Sequence, residues 1–386
     1  MTTTPHPHPS SPRLVSLDIL RGLTVMLMIF VNNGAGNQIF ATLQHSKWNG
    51  LTLCDLVFPF FLFMVGVSTY LSLGRRGFEW SWQTAWKIGR RTATLFLIGL
   101  AINWFDMACD GRPADFAHLR IMGVMQRIAL CYGCTALAAV GLTRLVGSMR
   151  ALAYLAGALL MSYTMLIVIG GGYNYDAATN FIAIADAHLL GHAHLYHKSP
   201  VDPEGVLSTL PAIAHTMIGL LVAQKALGHK GGDTATHPAE SMRWFAMMGV
   251  VLIPIGIVLA FVMPLNKRIW SPSYVLLACG LASMAQAALV WLVDLRPGTP
   301  RSTPSPFGGA WGGALIFGTN PLLLYLASEV IAIVFGATGI KDTLYGALHA
   351  VIPNGYWASV AYATLFTLGH AALGYPLWKR RIYIKI

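Results

Sequence analysis

The chain has 386 residues, 55% of them hydrophobic and only 11% charged, against roughly 25% charged in a soluble domain. With a mean hydropathy of +0.58, this excludes a soluble globular protein and indicates an integral membrane protein. The net charge of +11 does not indicate nucleic-acid binding, because Lys and Arg fall in short clusters between apolar runs and form no continuous stripe.

In chain order, Met1 to Pro12, rich in Thr, Pro and His, reads as a disordered cytoplasmic tail, and residues 13–386 as a single transmembrane domain. Apolar runs of about 20 residues give an all-α polytopic protein with about ten expected transmembrane helices at 14–34, 53–73, 88–105, 119–142, 151–171, 208–227, 244–263, 273–293, 313–335 and 355–377. Cations gather in alternate connectors: Arg75, Arg76, Lys87, Arg90 and Arg91, then Arg144 and Arg150, then Lys225, Lys230 and Arg243, then Arg296 and Arg301. Lys379, Arg380, Arg381 and Lys385 follow the last span. The positive-inside rule then places both termini in the cytoplasm and the connectors 35–52, 106–118, 172–207, 264–272 and 336–354 on the far side.

The five cysteines, Cys54, Cys109, Cys131, Cys134 and Cys279, are odd in number and scattered in or beside apolar spans, which is no disulfide framework. Cys131 and Cys134 read as packing residues within a membrane helix. The connector 172–207 carries His188, His192, His194 and His197. It reads as a surface lid, and no metal is expected, since no carboxylate completes a ligand set at a predictable geometry.

An intramembrane charge costs a few kcal/mol, so each such residue implies a partner or a watery cavity. Asp18 and Arg21 stand at i, i+3 in the first span and can pair with each other. Arg120, Gln126 and Arg127 fall in the expected outer half of the fourth span, where two arginines with no adjacent acid call for an anionic ligand or an acid on another helix. Glu329 follows Asn320-Pro321, an expected helix break. Trp48, Asn49, Asn266, Lys267 and Trp270 lie in outer connectors, and such interleaving of rings and amides suits a sugar. Among these polar residues, His45 is the one whose ordinary pKa allows it to act as a base or nucleophile near neutrality. Asp55, ten residues on, is close enough to orient its ring.

Several blocks of residues together resemble the heparan-alpha-glucosaminide N-acetyltransferase family of the wider transmembrane acyltransferase group. They are Ser16-Leu17-Asp18-Ile19-Leu20-Arg21-Gly22, Val31-Asn32, His45-Ser46-Lys47-Trp48-Asn49-Gly50-Leu51-Thr52, Asp55-Leu56-Val57-Phe58-Pro59-Phe60-Phe61 and Arg120-Ile121-Met122-Gly123-Val124-Met125-Gln126-Arg127. The match continues through His194-Leu195-Tyr196 with Asp202-Pro203-Glu204-Gly205, and Asn266-Lys267 with Trp270-Ser271-Pro272-Ser273-Tyr274. The resemblance implies acetyl transfer from cytoplasmic acetyl-CoA to the amino group of a glucosamine-type sugar across the membrane, with His45 as acetyl acceptor or general base and Asn32 beside it. It further implies a CoA route past Arg21, Asp18, Arg120, Gln126 and Arg127, an acceptor site among Asn49, Trp48, Asn266, Lys267, Trp270 and Glu329, and a homodimer. Lysosomal members carry an additional luminal region and first helix, so the expectation here is a shorter homologue in a bacterial inner membrane. On the residues alone a second reading stays open: an amino-sugar or N-acetylglucosamine permease, or an accessory uptake protein, whose polar residues line a translocation path.

Overall fold

The computed structural model describes residues 14–384 apart from 197, 198, 200, 229–236 and 297–310. The expected tail and His197 lie outside the described residues. Regular structure among the described residues is entirely helical: α1 Val15–Asn32, α2 Leu53–Gly74, α3 Trp82–Cys109, α4 Val124–Val146, α5 Arg150–Met165, α6 Phe181–Leu190, α7 Thr209–Leu227, α8 Pro238–Ala260, α9 Pro272–Leu289, α10 Gly312–Thr319, α11 Pro321–Ala337, α12 Ile340–Val351 and α13 Gly355–Lys379. The starts follow local chemistry. Thr52, Ser81, Asn180 and Asn354 place side-chain oxygens on the first free N–H groups of α2, α3, α6 and α13, and proline occupies the first turn of α8, α9 and α11, where its missing N–H has no partner to lose.

Eight described helices are long and apolar enough to cross a membrane: α1 to α4, α5 with its continuation to Gly170, α7, α8, and α9 with its continuation to Asp294. The ninth expected span is not straight. α10 and α11 meet at Asn320 with a bend of 87°, and the Asn320 side chain answers the broken backbone by donating to Ile382 O and accepting from Ile384 N. The tenth, α13, has 25 residues, about 37 Å at 1.5 Å per residue. It falls short of the apolar stretch that the eight share, and His370 is buried in it. The fourth expected span is corrected at its start: the helix begins at Val124, and Arg120 to Gly123 form an extended lead-in outside it.

The helices divide into an interior and a rim. In α7 72% of the apolar window is buried and in α2 and α9 61%, against 17% in α3 and 22% in α5 and α8. The rim helices therefore turn their apolar faces to lipid. Since lipid is as apolar as leucine, helix contacts there rest on close backbone approach and polar pairing. Gly22 of α1 shows this: a Cβ on it would stand 1.7 Å from Ala314 O of α10, and one on Gly318 would stand 2.2 Å from Asp18 O. We expect Gly22→Val to lower the unfolding temperature of the detergent-solubilised protein, at an overpacking cost of about 1–3 kcal/mol. Gly369→Ala in α13, with nothing within 4 Å of the added atom, is expected to leave the temperature unchanged.

Candidate active site

Thr52 and Asp55 begin the site as a capping box. The Thr52 hydroxyl accepts from Asp55 N at 3.3 Å, and Asp55 Oδ2 accepts from Thr52 N at 3.1 Å. An acid in the first turn also meets the positive end of the helix dipole. Oδ2 further accepts from Ser46 N at 3.0 Å, which folds the connector back over the helix end. Oδ1 is left facing His45 Nδ1 at 2.9 Å. Asp55 is buried while 45% of the His45 side chain is exposed, so the carboxylate reaches the ring from beneath. An ionised carboxylate accepts only, so Nδ1 carries the proton and Nε2 keeps its lone pair for chemistry.

The α8–α9 connector closes the other side. Gly50 N donates to Leu265 O at 2.9 Å, and Asn266 donates from its amide to Asn49 Oδ1 at 3.1 Å. The Asn266 side-chain Oδ1 accepts from Arg268 N and Ile269 N. This turn delivers Lys267 Nζ to 3.1 Å from His45 Nδ1 and 3.4 Å from Nε2, and 4.0 Å from Asp55 Oδ1. Burial pulls the Lys267 amine below its ordinary pKa, against the opposing pull of Cys54, Asp55 and Glu204.

His45, Asn32, Cys54, Glu204, Lys267 and Tyr325 share the wall of a cavity of about 60 Å³. A larger one, about 210 Å³, opens farther along the same helices and includes Arg21, Ser68, Arg91 and Tyr132. The two follow one another along four helices: Arg21 and Met28 on α1, Phe61 and Phe58 on α2, Ile128 and Val124 on α4, and Leu322 and Tyr325 on α11. Arg21 pairs with Asp18 at 3.3 Å and donates to Ser68 at 3.0 Å, and the Arg91 guanidinium lies 4.6 Å from the Tyr132 ring centre.

The arginines of the fourth span have protein partners. Arg120 grips Asp202 through Nε at 3.3 Å and a terminal nitrogen at 2.7 Å, and that nitrogen reaches Glu204 at 2.8 Å. Its guanidinium also lies over the Tyr196 ring. Burial works against the charge on Arg120, and Glu204 and Asp202 outweigh it and hold the charge on. Arg127, fully buried, donates to Pro203 O at 2.7 Å, Gly205 O at 3.1 Å and the Ser208 hydroxyl. Of the partners expected for this pair, an anionic ligand or an acid on another helix, Arg120 finds acids, Asp202 and Glu204, 82 and 84 residues on in a connector and not on a helix, while Arg127 is held by carbonyls and a hydroxyl of the same stretch.

The structure separates other expected site residues. Trp270 does not face outward. It is fully buried against Phe58, Tyr274 and His215 with Arg127 over its ring, so it floors the site. Asn266, also fully buried, acts as the turn brace described above. Gln126 is buried with its amide against Gly99 and Gly123. Glu329 lies one helical turn beyond Tyr325 on α11, and it is Tyr325 that stands on the wall of the smaller cavity. Trp48 donates to Tyr175 O at 2.6 Å, tying the His45 connector to the 172–207 segment. The residues that sequence reasoning did not single out for the site are Cys54, Tyr325 and Glu204. The signal for Glu204 was present, since an uncompensated arginine pair requires an acid elsewhere.

Asp186 of α6 supports the same turn, accepting from Leu207 N at 3.0 Å. Burial pushes its carboxyl up to about 6, opposed by the backbone N–H groups of Leu207 and Val206 and by Arg127. The folded chain thus holds a proton that the unfolded chain, with an ordinary value of 3.8, has lost, and stability falls as pH rises from about 4 to about 6. Asp186→Asn is expected to flatten that slope in thermal unfolding and to raise the unfolding temperature at neutral pH. Arg120→Ala strands Asp202 and Glu204 as buried charges, and an expected loss of about 3 kcal/mol or more would show as a large drop in unfolding temperature.

With this geometry in hand, the comparisons with known proteins are specific. The family model described as heparan-alpha-glucosaminide N-acetyltransferase, catalytic, matches residues 13–258, which include His45, Asp55, Arg120 and Arg127 and stop short of Lys267. The human heparan-alpha-glucosaminide N-acetyltransferase is 29% identical over 91% of this chain and 58% of its own length, and the mouse protein 30% identical over 98% of this chain and 61% of its own. The chain therefore spans about 60% of the length of these curated relatives.

Proposed function

The chain belongs to the heparan-alpha-glucosaminide N-acetyltransferase family, and on that premise we propose that it transfers acetyl from acetyl-CoA to the amino group of a glucosamine-type sugar, with the His45 cavity as the reacting centre. The observation that carries the reading is the Asp55–His45 pair at 2.9 Å on the wall of a cavity shared with Asn32 and Lys267. An imidazole held by a carboxylate at Nδ1 presents Nε2 either to take the acetyl group or to take a proton from the attacking amine.

Acetyl-CoA enters this reading as substrate. Its phosphates need cations, and the larger cavity has Arg21 and Arg91 in its wall, with Arg75 and Arg76 exposed at the end of α2 nearest it. The pantetheine arm would follow α1, where Arg21 and Met28 stand about 10 Å apart along the axis, to bring the thioester to His45. Asn32, on the His45 cavity wall, offers an amide N–H to the carbonyl oxygen as it gains charge, worth roughly 3 kcal/mol in other acyl transfers. Arg120 and Arg127 act in this reading through the turn that carries Glu204, and Gln126 and Asp18 through helix contacts behind the route. The acceptor would lie against Asn49, Trp48, Lys267 and Tyr325, with Asn266, Trp270 and Glu329 behind them. The cation pattern supports cytoplasmic termini and a far-side acceptor, and the resemblance supports a bacterial inner membrane and a homodimer.

The test is acetyl transfer from radiolabelled acetyl-CoA to glucosamine by the purified chain in liposomes. Wild type is expected to yield acetylated sugar and His45→Ala none, with a small drop in unfolding temperature, because the ring is half exposed but one donor to the buried Asp55 carboxylate is lost. Asn32→Ala is expected to lower kcat by about 10²–10³. Uptake of unmodified sugar by wild type, with no acetylated product from any amino sugar, would overturn the proposal in favour of the permease.

A further inference from the structure

Lys267 has a second consequence that rests on the acetyl-transfer reading. Its Nζ lies nearly equidistant from the two nitrogens of His45, at 3.1 and 3.4 Å, while the in-plane approach to Nδ1 belongs to the Asp55 carboxylate. A position equidistant from both nitrogens and in the ring plane would press Nζ onto the carbon between them. The amine therefore stands over the face of the ring. An acyl carbon carried by Nε2 lies near the ring plane and accepts a nucleophile from above or below that plane, the side on which Nζ stands. Lys267 is also a primary amine, the same chemical class as the proposed acceptor, and it is buried in the cavity wall where water competes little.

We propose that Lys267 is a self-acetylation site: when acetyl-CoA occupies the site and no amino sugar does, the Lys267 amine takes the acetyl group. His45 Nε2 adds to the thioester carbonyl carbon and the C–S bond breaks, leaving acetyl-imidazolium and CoA thiolate. The Nζ lone pair then adds to the acetyl carbon from above the ring plane, the C–Nε2 bond breaks, and the proton lost by the amine goes to the thiolate. The products are Nζ-acetyl-lysine, CoA thiol and an unchanged neutral imidazole. The lowered basicity of the buried amine raises the fraction that is free to attack. Acetylation removes the cation 4.0 Å from Asp55 and adds a neutral group to a cavity of about 60 Å³, so the modified chain is blocked.

The experiment incubates the full chain in liposomes with isotopically labelled acetyl-CoA and no acceptor, then locates the label by peptide mass spectrometry. Lys47, exposed on the connector two residues from His45, serves as the internal control. The expected result is one labelled acetyl on Lys267, suppressed by saturating glucosamine, absent in His45→Ala and Lys267→Arg, and accompanied by a loss of acceptor turnover in proportion to the labelled fraction. Label on Lys47 equal to that on Lys267, label on Lys267 undiminished in His45→Ala, or no label on Lys267 would each overturn the proposal. The two readings fail separately: sugar acetylated with Lys267 unlabelled refutes self-acetylation alone, and Lys267 labelled with no amino sugar acetylated refutes the acceptor assignment alone.

Discussion

A single carboxylate ties the candidate site to the fold. Asp55 closes the capping box that starts α2 with one oxygen and holds His45 Nδ1 with the other. Its backbone carbonyl accepts from the Tyr274 hydroxyl of α9. One buried residue thus fixes the entry of a central helix, the course of the connector and the tautomer of the ring. Burying a carboxylate is costly unless its lone pairs are answered, and four donors answer this one: Ser46 N, Thr52 N, the Thr52 hydroxyl and the imidazole. Loss of any of them reaches the helix start and the ring together.

The second constraint is the grip of Arg120 and Arg127 on the Asp202-Pro203-Glu204-Gly205 turn. Two guanidiniums beside a membrane core need compensation, and here they receive it from two acids and two carbonyls of one turn in the long 172–207 connector. The connector is thereby fastened to α4 and its lead-in, and Glu204 is set on the wall of the His45 cavity. Charge neutralisation and site construction are one arrangement, which explains why the same arginines that look like ligand residues along the chain hold protein atoms in the fold.

Interior helices carry the cavities and rim helices carry the lipid face. The most buried helices, α2, α7 and α9, surround the Asp55 and Trp270 floor, while α3, α5 and α8 expose most of their apolar windows. The break at Asn320 lets α11 bring Leu322 to one cavity and Tyr325 to the other. A straight ninth span would instead have continued the direction of α10.

Much of this was legible along the chain. Composition and apolar runs determined an all-α membrane protein, since no water in a bilayer satisfies a non-helical backbone. The polar block from His45 to Asp55 marked the candidate site, because the capping box and the His–Asp approach are both local, within ten residues. What tertiary structure alone decided is long-range: the 87° bend in place of a straight span, the start of α4 after Arg120, the acids 82 and 84 residues from Arg120 that neutralise it, and the burial of Trp270 that an outward aromatic was expected to escape. Lys267 stands 222 positions from His45, and its place over the ring depends on an Asn266 turn packed against Asn49 and Gly50. Periodicity reports which face of a helix is apolar. It carries no information on which distant turn meets that face, because that choice is made by charge compensation and packing when the helices assemble.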